Sequence, residues 1–213
     1  MAIKLLMFDL DGTLVDSRGD ITNALNYATK PYGFREFKIE EITELIGEGV
    51  TRLIEKVIGG SDARLKDTVT ERFLDYYSRH ISDLSTIYPG VRETIEKLDI
   101  FKKAVISNKR EHLSVKLLRD LDLLKYFGLV VGSDTTPEKK PSAMPVIYVL
   151  SKLGAGPGEA VFVGDSNYDI EAGSKAGVTT VAVSYGYKER RYLKGADHII
   201  DRFGDLLAIL DTK

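Results

Sequence analysis

Two acidic side chains, Asp9 and Asp11, directly follow the apolar run 3–8. An apolar run that ends at Asp and Gly predicts a buried strand closed by a sharp turn. Side chains two positions apart on a strand lie on the same side, so we expect the two carboxylates to emerge together. At ~4 Å they would repel by about 4 kcal/mol at an effective dielectric of roughly 20, which a cation or a shared proton must offset. Mg²⁺ is the simplest candidate because it binds oxygen ligands; the alternative is a turn in which Asp and Gly serve only the backbone.

Polar side chains also follow three further stretches that predict short buried strands, at 104–106, 129–131 and 160–163. They are Ser107 and Asn108 after the first stretch, Lys139 and Lys140 after the second, and Asp165 and Asp169 after the third. Parallel sheets bind ligands beyond the carboxyl ends of their strands. We therefore expect four acids, a hydroxyl–amide pair and a lysine to gather at one edge of a sheet.

The pair Ser107 and Asn108 offers a hydroxyl donor, and the helix predicted after it offers free backbone amides at its positive end. Together these groups suit an anion site, and the alternative is a helix N-cap without a ligand. Lys140, whose backbone is restrained by Pro141, is suited to neutralise a phosphate or a nucleophile. We expect its neighbour Lys139 to be a solvent-exposed loop lysine.

The acids Asp165 and Asp169 are one helical turn apart, so both can face one site. By residue type, Asp165 is a ligand for a hard cation. The alternatives are a turn residue after Gly164 for the first acid and a first-turn acid that complements the helix dipole for the second. Four carboxylates beside an anion site require a bound cation, since a phosphate dianion would otherwise meet several kcal/mol of repulsion.

Composition sets limits on the function. The chain has 213 residues, 30 Lys and Arg against 32 Asp and Glu, and no cysteine. This balance argues against a general nucleic-acid binder, and the absence of cysteine excludes disulfide scaffolds and zinc–thiolate sites. We see no apolar run near the ~18 residues of a membrane span and no signal segment, so we expect a cytoplasmic protein.

The order of elements predicts an α/β fold: a doubly wound, Rossmann-like parallel sheet with a small all-helical cap inserted after the first strand. From 86 onward short apolar strands alternate with helices, whereas about 17 to 84 shows only helical periodicity. Within that block, Ser61 or Asp62 is expected to cap a long helix. The predicted domains are a catalytic core of 1–16 and 86–213 and a cap of 17–85.

The ordered motifs resemble those of the haloacid dehalogenase superfamily over nearly the whole chain. The matching stretches are Asp9-Leu10-Asp11-Gly12-Thr13, Ser107-Asn108, Lys140-Pro141 and Gly164-Asp165 through Asp169. The helical block resembles that family's cap insertion. In such a protein the cap is expected to close over a small phosphorylated metabolite.

The resemblance implies a role for each matching residue. Asp9 would be the nucleophile that forms an aspartyl-phosphate, and Asp11 would protonate the leaving oxygen and then activate water. Mg²⁺ would be held by Asp9, Asp165 and the backbone carbonyl of Asp11, with Asp169 holding its waters or Lys140. Ser107 and the amide of Asn108 would bind the phosphoryl oxygens, and Lys140 would compensate charge.

The stretch 46–53 resembles the cap loop of phosphoglycolate phosphatases, which makes 2-phosphoglycolate the leading substrate hypothesis. Gly47, Glu48, Gly49 and Arg52 are the candidate specificity residues: glycines allow close backbone approach, and an arginine can bind a carboxylate. The alternatives are a phosphomutase or pyrophosphatase on the same scaffold, or a phosphoacceptor module of the receiver type. We assign no catalytic role to 185–187, which is expected to be a turn, and nothing in the sequence indicates an oligomeric state.

Overall fold

The computed structural model describes residues 2–59 and 62–211. Its strands are β1 (Leu5–Phe8), β2 (Val15–Asp16), β3 (Thr86–Ile87), β4 (Lys102–Ile106), β5 (Leu129–Val131), β6 (Ala160–Gly164), β7 (Thr179–Val183) and β8 (His198–Ile200). Within the described residues, six of these strands form one parallel sheet in the order β5-β4-β1-β6-β7-β8. The chain order reverses between β1 and β6, the arrangement of a doubly wound fold, so the predicted fold class is confirmed.

Helices cover both faces of this sheet and fill the insertion. They are α1 (Arg18–Thr29), α2 (Ile39–Thr43), α3 (Val50–Ile58), α4 (Ala63–Arg79), α5 (Val91–Lys97), α6 (Glu111–Asp120), α7 (Met144–Leu153), α8 (Asn167–Ala176) and α9 (Leu206–Asp211). Asp62 caps α4, because its Oδ1 accepts from the amide of Leu65 at 3.0 Å. Ser61, the other expected cap, lies outside the described residues.

The central strand β1 is buried on both faces, as expected for a parallel sheet between two helical layers. Its side chains alternate between two cores. Leu6 and Phe8 belong to the apolar cluster that also holds α5, α6 and the inserted helices, whereas Leu5 and Met7 pack with α7 and α8. All four are fully buried.

The strand register brings the carboxyl ends of three neighbouring strands level with one another. Phe8 of β1 pairs with Val105 of β4 and with Val163 of β6. The polar residues that follow these strands therefore leave the sheet at one edge, at the position where the strand order reverses. Such crevices are the usual ligand sites of doubly wound sheets.

The helices α1 to α4 lie between β2 and β3, and these two short strands pair with each other antiparallel. A two-residue strand is too short for periodicity to reveal it, so the sequence analysis did not predict this pairing. Within the insertion α1 packs on α4, where Tyr27 stacks on Tyr76 with ring centroids 4.4 Å apart. The domain division at 17–85 stays a prediction.

Strand alternation, from which Asp9 and Asp11 were expected to lie on the same side, is the wrong reason for their shared position. The strand β1 ends at Phe8, so Asp9 and Asp11 lie in the following turn and strand alternation does not align them. Asp11 instead forms an isolated bridge with Val15. Both side chains nevertheless line the same cavity. Among residues 2–59 and 62–211, no helix has the length and apolar character needed to cross a membrane.

Candidate active site

Three buried carboxylates and one buried lysine form the centre of the site. Asp9, Asp165 and Asp169 each offer an oxygen within 4.8 Å of the others. The ammonium of Lys140 lies 2.8 Å from Oδ1 of Asp9 and 2.6 Å from Oδ1 of Asp169. It also donates to the carbonyl of Ile106 at 2.7 Å. Residues predicted from three separate stretches therefore meet at one point.

Backbone groups position the two acids that follow β6. Asp169 accepts at Oδ2 from both the amide and the hydroxyl of Ser166, at 3.0 and 2.6 Å, at the start of α8. Asp165 accepts at Oδ2 from the amide of Tyr187 at 2.7 Å. Gly12 has φ +87° and lies so close that a Cβ there would be 2.4 Å from Asp165 Oδ2. Glycine is required at this turn for both conformation and space.

The electrostatics of the group favour a bound cation. Burial, followed by the charges of Asp169 and Asp165, raises the pKa of Asp9 well above its usual value, although Lys140 opposes this. Burial and then Asp169 raise the pKa of Asp165 to about 7. For Lys140 burial lowers the pKa, but Asp169 and Asp9 outweigh it and the net shift is upward. One ammonium faces three carboxylates, and a set of buried carboxylate oxygens fits a hard divalent ion such as Mg²⁺.

Asp11 lies apart from these three carboxylates, and its side chain has different partners. Its Oδ1 accepts from the ammonium of Lys109 and from the hydroxyl of Ser17, each at 2.5 Å. Both Asp11 and Lys109 have side chains about a tenth exposed or less, at 11% and 7%. Oδ1 is therefore the oxygen through which neighbouring side chains hold this carboxylate at the cavity. The family resemblance implied that its backbone carbonyl reaches the metal; the expectation that its carboxylate would share a cation with Asp9 is wrong, since the buried cluster holds Asp9, Asp165 and Asp169 without it.

The predicted phosphate-binding pair follows β4. Ser107 Oγ accepts from the amide of Lys109 at 3.2 Å, and both Ser107 and Asn108 are buried and line the cavity. The side-chain amide of Asn108 donates to the carbonyls of Lys140 and Gly47, at 3.0 and 2.8 Å. One core residue thus contacts both the lysine loop and the inserted helices.

These groups face a cavity of about 110 Å³ between the sheet edge and the inserted helices. Its polar wall comes from the core, and its apolar wall comes from the insertion. The polar wall includes Asp9, Asp11, Ser107, Asn108, Lys109 and Lys139; the apolar wall includes Ile21, Ile46, Val50, Leu53, Phe73, Leu74 and Tyr77. This volume is below the roughly 300–1,000 Å³ of pockets for drug-sized ligands, which favours a small ligand.

The structure brings two of the four candidate cap residues to the cavity. Gly47 and Gly49 line it, both with positive φ, at +117° and +85°. The side chain of Glu48 pairs with Lys56 and is turned toward α3. Arg52 is 62% exposed and pairs with Glu55 at 2.7 Å, so it does not line the cavity.

Three site residues were missed by sequence reasoning. Lys109 directly follows the Ser107–Asn108 pair, and that adjacency was the available signal. Lys139 is partly buried rather than solvent-exposed; it lines the cavity and donates to the carbonyl of Glu48 at 2.6 Å. Tyr187 holds Asp165 through a backbone amide, a group that every residue except proline carries, so its type gave no signal.

Comparison with known proteins agrees with this geometry. The model of the haloacid dehalogenase-like hydrolase family matches residues 6–183. The chain is 40% identical to the phosphoglycolate phosphatase of Aquifex aeolicus (strain VF5), over 99% of this chain and 98% of that protein. It is 38% identical to the phosphoglycolate phosphatase of Chromobacterium violaceum, over 98% and 96%.

A solved structure is similar over the same extent. The crystal structure of a predicted phosphoglycolate phosphatase from Haemophilus somnus 129pt matches with a TM-score of 0.92 at 30% identity, covering 97% of each chain. The sheet and its acidic, lysine-containing centre place the chain among doubly wound α/β proteins with a ligand site at the carboxyl edge. The chain belongs to the haloacid dehalogenase-like hydrolase family.

Proposed function

We propose that this protein is a magnesium-dependent phosphatase that hydrolyses a small phosphomonoester through an aspartyl-phosphate, with 2-phosphoglycolate as the leading substrate. The observation that carries the proposal is the contact of Lys140 with Asp9 and Asp169, 2.8 and 2.6 Å, where Asp9 lines a small cavity. Family membership and the names of the full-length relatives support the same chemistry.

In the first step, a carboxylate oxygen of Asp9 attacks phosphorus and the bond from phosphorus to the ester oxygen breaks. Lys140 holds Oδ1 of Asp9, which leaves Oδ2 for the attack. Asp11 gives its proton to the departing oxygen, so the alcohol leaves neutral. The product is an aspartyl-phosphate on Asp9.

In the second step, Asp11 accepts a proton from water as the water oxygen bonds to phosphorus. The acyl-phosphate bond breaks, which releases phosphate and restores the Asp9 carboxylate. Ser107 and the amide of Asn108 bind the phosphoryl oxygens throughout and Lys140 compensates charge, because phosphoryl transfer depends mostly on positioning and charge stabilisation. Asp169 orients Lys140, which it contacts at 2.6 Å.

Asp9, Asp165 and the backbone carbonyl of Asp11 would hold Mg²⁺, with Asp169 in support. When bound, the ion neutralises charge on the phosphoryl oxygens and orients them for displacement. Apart from the carbonyl, these oxygens are the buried carboxylates described above, which offer one ligand atom each within 4.8 Å.

The cavity favours a short, anionic substrate. Its volume is about 110 Å³, and two lysines of the core, Lys109 and Lys139, line it together with the apolar cap residues. A substrate with a carboxylate close to its phosphate is favoured, because the two lysines can pair with that carboxylate. The hydroxyls of a sugar would instead lose hydrogen bonds against the apolar wall. The segment 17–85 is proposed to act as a cap that closes over this substrate and excludes water.

The test is phosphate release from 2-phosphoglycolate, a set of sugar phosphates, pyrophosphate and 4-nitrophenyl phosphate, with Mg²⁺ or with chelator. We expect release to need Mg²⁺ and to fall by about 10³-fold or more in Asp9→Asn. Asp75→Asn is the control, since Asp75 is exposed on α4. Near-full activity of Asp9→Asn, or a phosphoenzyme that lasts minutes, would contradict a phosphatase of this mechanism. Phosphate balance separates it from a mutase.

A further inference from the structure

The turn 185–187 contacts the candidate active site through main-chain atoms. The amide of Tyr187 donates to Asp165 Oδ2 at 2.7 Å. A Cβ on Gly186 would lie 2.2 Å from the Cβ of Asp165, so the turn approaches this acid as closely as backbone allows. On its other side, the hydroxyl of Tyr185 donates to the carbonyl of Thr13 at 2.8 Å. The turn is thereby attached to both β6 and the segment that follows β1.

The phenol of Tyr187 contacts Ser17, the residue that holds Asp11. The amide of Ser17 donates to the phenol oxygen at 2.8 Å, and the two hydroxyl oxygens are 3.3 Å apart. A serine hydroxyl has one hydrogen. Ser17 gives its hydrogen to Asp11 Oδ1 at 2.5 Å, so the phenol of Tyr187 is the donor in its contact with Ser17 Oγ.

This phenol is suited to remain a donor. Tyr187 is 7% exposed, and burial together with the charge of Asp11 raises its pKa well above the usual value. The same hydroxyl lies 3.4 Å from the carbonyl of Val15, so its hydrogen is shared between two acceptors on the segment that leads into α1. A chain of contacts therefore runs from Asp165 through Tyr187 and Ser17 to Asp11.

We propose that Tyr187 is a positioning residue: its amide orients Asp165, and its phenol, acting through Ser17, holds Asp11 Oδ1 so that Oδ2 faces the leaving group. The inference rests on the proposed function, because it concerns the residue that protonates the leaving oxygen. A purely structural residue would affect all steps of the reaction alike. Loss of the Tyr187 phenol should instead slow protonation of the leaving group more than the other steps.

The test uses the dependence of the rate on the leaving group. An alkoxide needs a proton to leave, whereas 4-nitrophenolate leaves without one, so misplacing Asp11 should affect the two substrates unequally. For Tyr187→Phe, which keeps the amide, we expect kcat/KM for 2-phosphoglycolate to fall about tenfold and kcat/KM for 4-nitrophenyl phosphate to fall less than about threefold. The ratio is independent of how much of a preparation is folded.

Matched variants complete the test. Ser17→Ala should show the same unequal loss, and the double variant should add little to either, because both act through one contact to Asp11. Tyr185→Phe removes a hydroxyl from the same turn without touching a carboxylate and should leave the ratio unchanged. Equal losses on both substrates in Tyr187→Phe, or no loss on either, overturn the inference. Failure of the unsubstituted protein to hydrolyse either phosphate overturns the proposed function itself.

Discussion

The core and the inserted helices meet the cavity with different kinds of contact. At the core edge, charged side-chain atoms contact one another: Lys140 with Asp9 and Asp169, and Lys109 with Asp11. In the loop of the insertion, backbone carbonyl oxygens instead accept hydrogen bonds from core side chains. Asn108 donates to the carbonyl of Gly47, Lys139 to that of Glu48, and Lys188 to that of Glu44.

The core edge therefore contributes mainly charge to the cavity, and the loop of the insertion contributes mainly shape. At the core edge a change of residue type changes the chemistry, because the contacting atoms belong to ionised side chains. In the loop 44–48 the accepting atoms are carbonyls, which remain whatever the side chains are, so conformation and close approach decide the fit. The core edge should therefore respond to charge, cation and pH, and the loop to glycine substitution.

Removing the central ammonium is the most severe test of this contrast. In Lys140→Met three buried carboxylates lose their cationic partner, so we expect kcat/KM to fall about 10²–10³-fold and the free energy of unfolding in chelator to drop by about 3–5 kcal/mol. Steady-state assays and denaturant titration measure the two effects. The control is Lys175→Met, because Lys175 is 52% exposed and pairs with Glu171 on the surface of α8. Activity near the unsubstituted level would refute the charge argument.

The pH dependence of stability is the next largest expected effect. Burial raises the pKa of Asp165 from 3.8 to about 7, so the native state binds this proton more tightly than the unfolded chain does. The resulting stabilisation is complete below about 3.8 and is lost as pH rises through about 7. In chelator, Tm should therefore be higher at pH 5.5 than at pH 8, and Mg²⁺ should raise Tm more at pH 8.

Calorimetry at the two pH values, with and without Mg²⁺, measures this. Asp165→Asn is the matched variant, and it should lose most of the difference between the two pH values. An equal Mg²⁺ shift of Tm at both values would show that these carboxylates do not bind the ion.

A buried acid of the insertion sharpens the comparison, because its partners are amides rather than cations. Asp20 is 2% exposed and accepts from the amides of Leu84 and Ser85, and from the hydroxyl of Ser85 at 2.6 Å. It joins α1 to the segment before β3, so Asp20→Ala should lower the free energy of unfolding by about 2–3 kcal/mol. Chemical denaturation measures the loss. Asp75→Ala, at an exposed pair with Arg79, should change it by less than about 0.5 kcal/mol.

The contrast also explains what could be predicted from the sequence. The strands of the sheet and the acids after them were recognisable because apolar runs and the following carboxylates depend on residue type. One site was predicted to hold Asp9, Asp165, Asp169 and Lys140. In the structure the three carboxylates offer oxygens within 4.8 Å of one another, and Lys140 contacts two of them.

The missing parts depend on the backbone or on neighbours distant in sequence. The carbonyl of Gly47 and the amide of Tyr187 belong to the main chain, which carries the same groups at most positions. The adjacent lysines Lys139 and Lys140 look alike, yet one contacts the cap loop and the other the acids. Pro141 singled out Lys140 in the sequence, but only the folded arrangement of loops brings Lys139 to the cap loop.

The smallest expected effect tests shape alone, at the two ends of α3. Gly49 precedes this helix with φ +85°, and a Cβ there would lie 2.8 Å from the carbonyl oxygen of Asn108. Gly59 follows the helix with φ +62°, and a Cβ there would meet no atom of the described residues within 4 Å. Either residue changed to Ala must keep a positive φ with ψ near 165–170°, a region that almost only glycine adopts, at a cost of about 1–3 kcal/mol, but only Gly49→Ala pushes the loop away from the core.

We therefore expect Gly49→Ala to lower kcat/KM about tenfold more than Gly59→Ala, a difference of about 1.4 kcal/mol in transition-state stabilisation. The two variants should lose similar stability in denaturant titration, since they share the strain. Equal activity in the two would mean that the close approach of Gly49 to Asn108 does not matter for turnover. In that case the cap loop would tolerate displacement, and the fit of its backbone against the core could not be what completes the cavity.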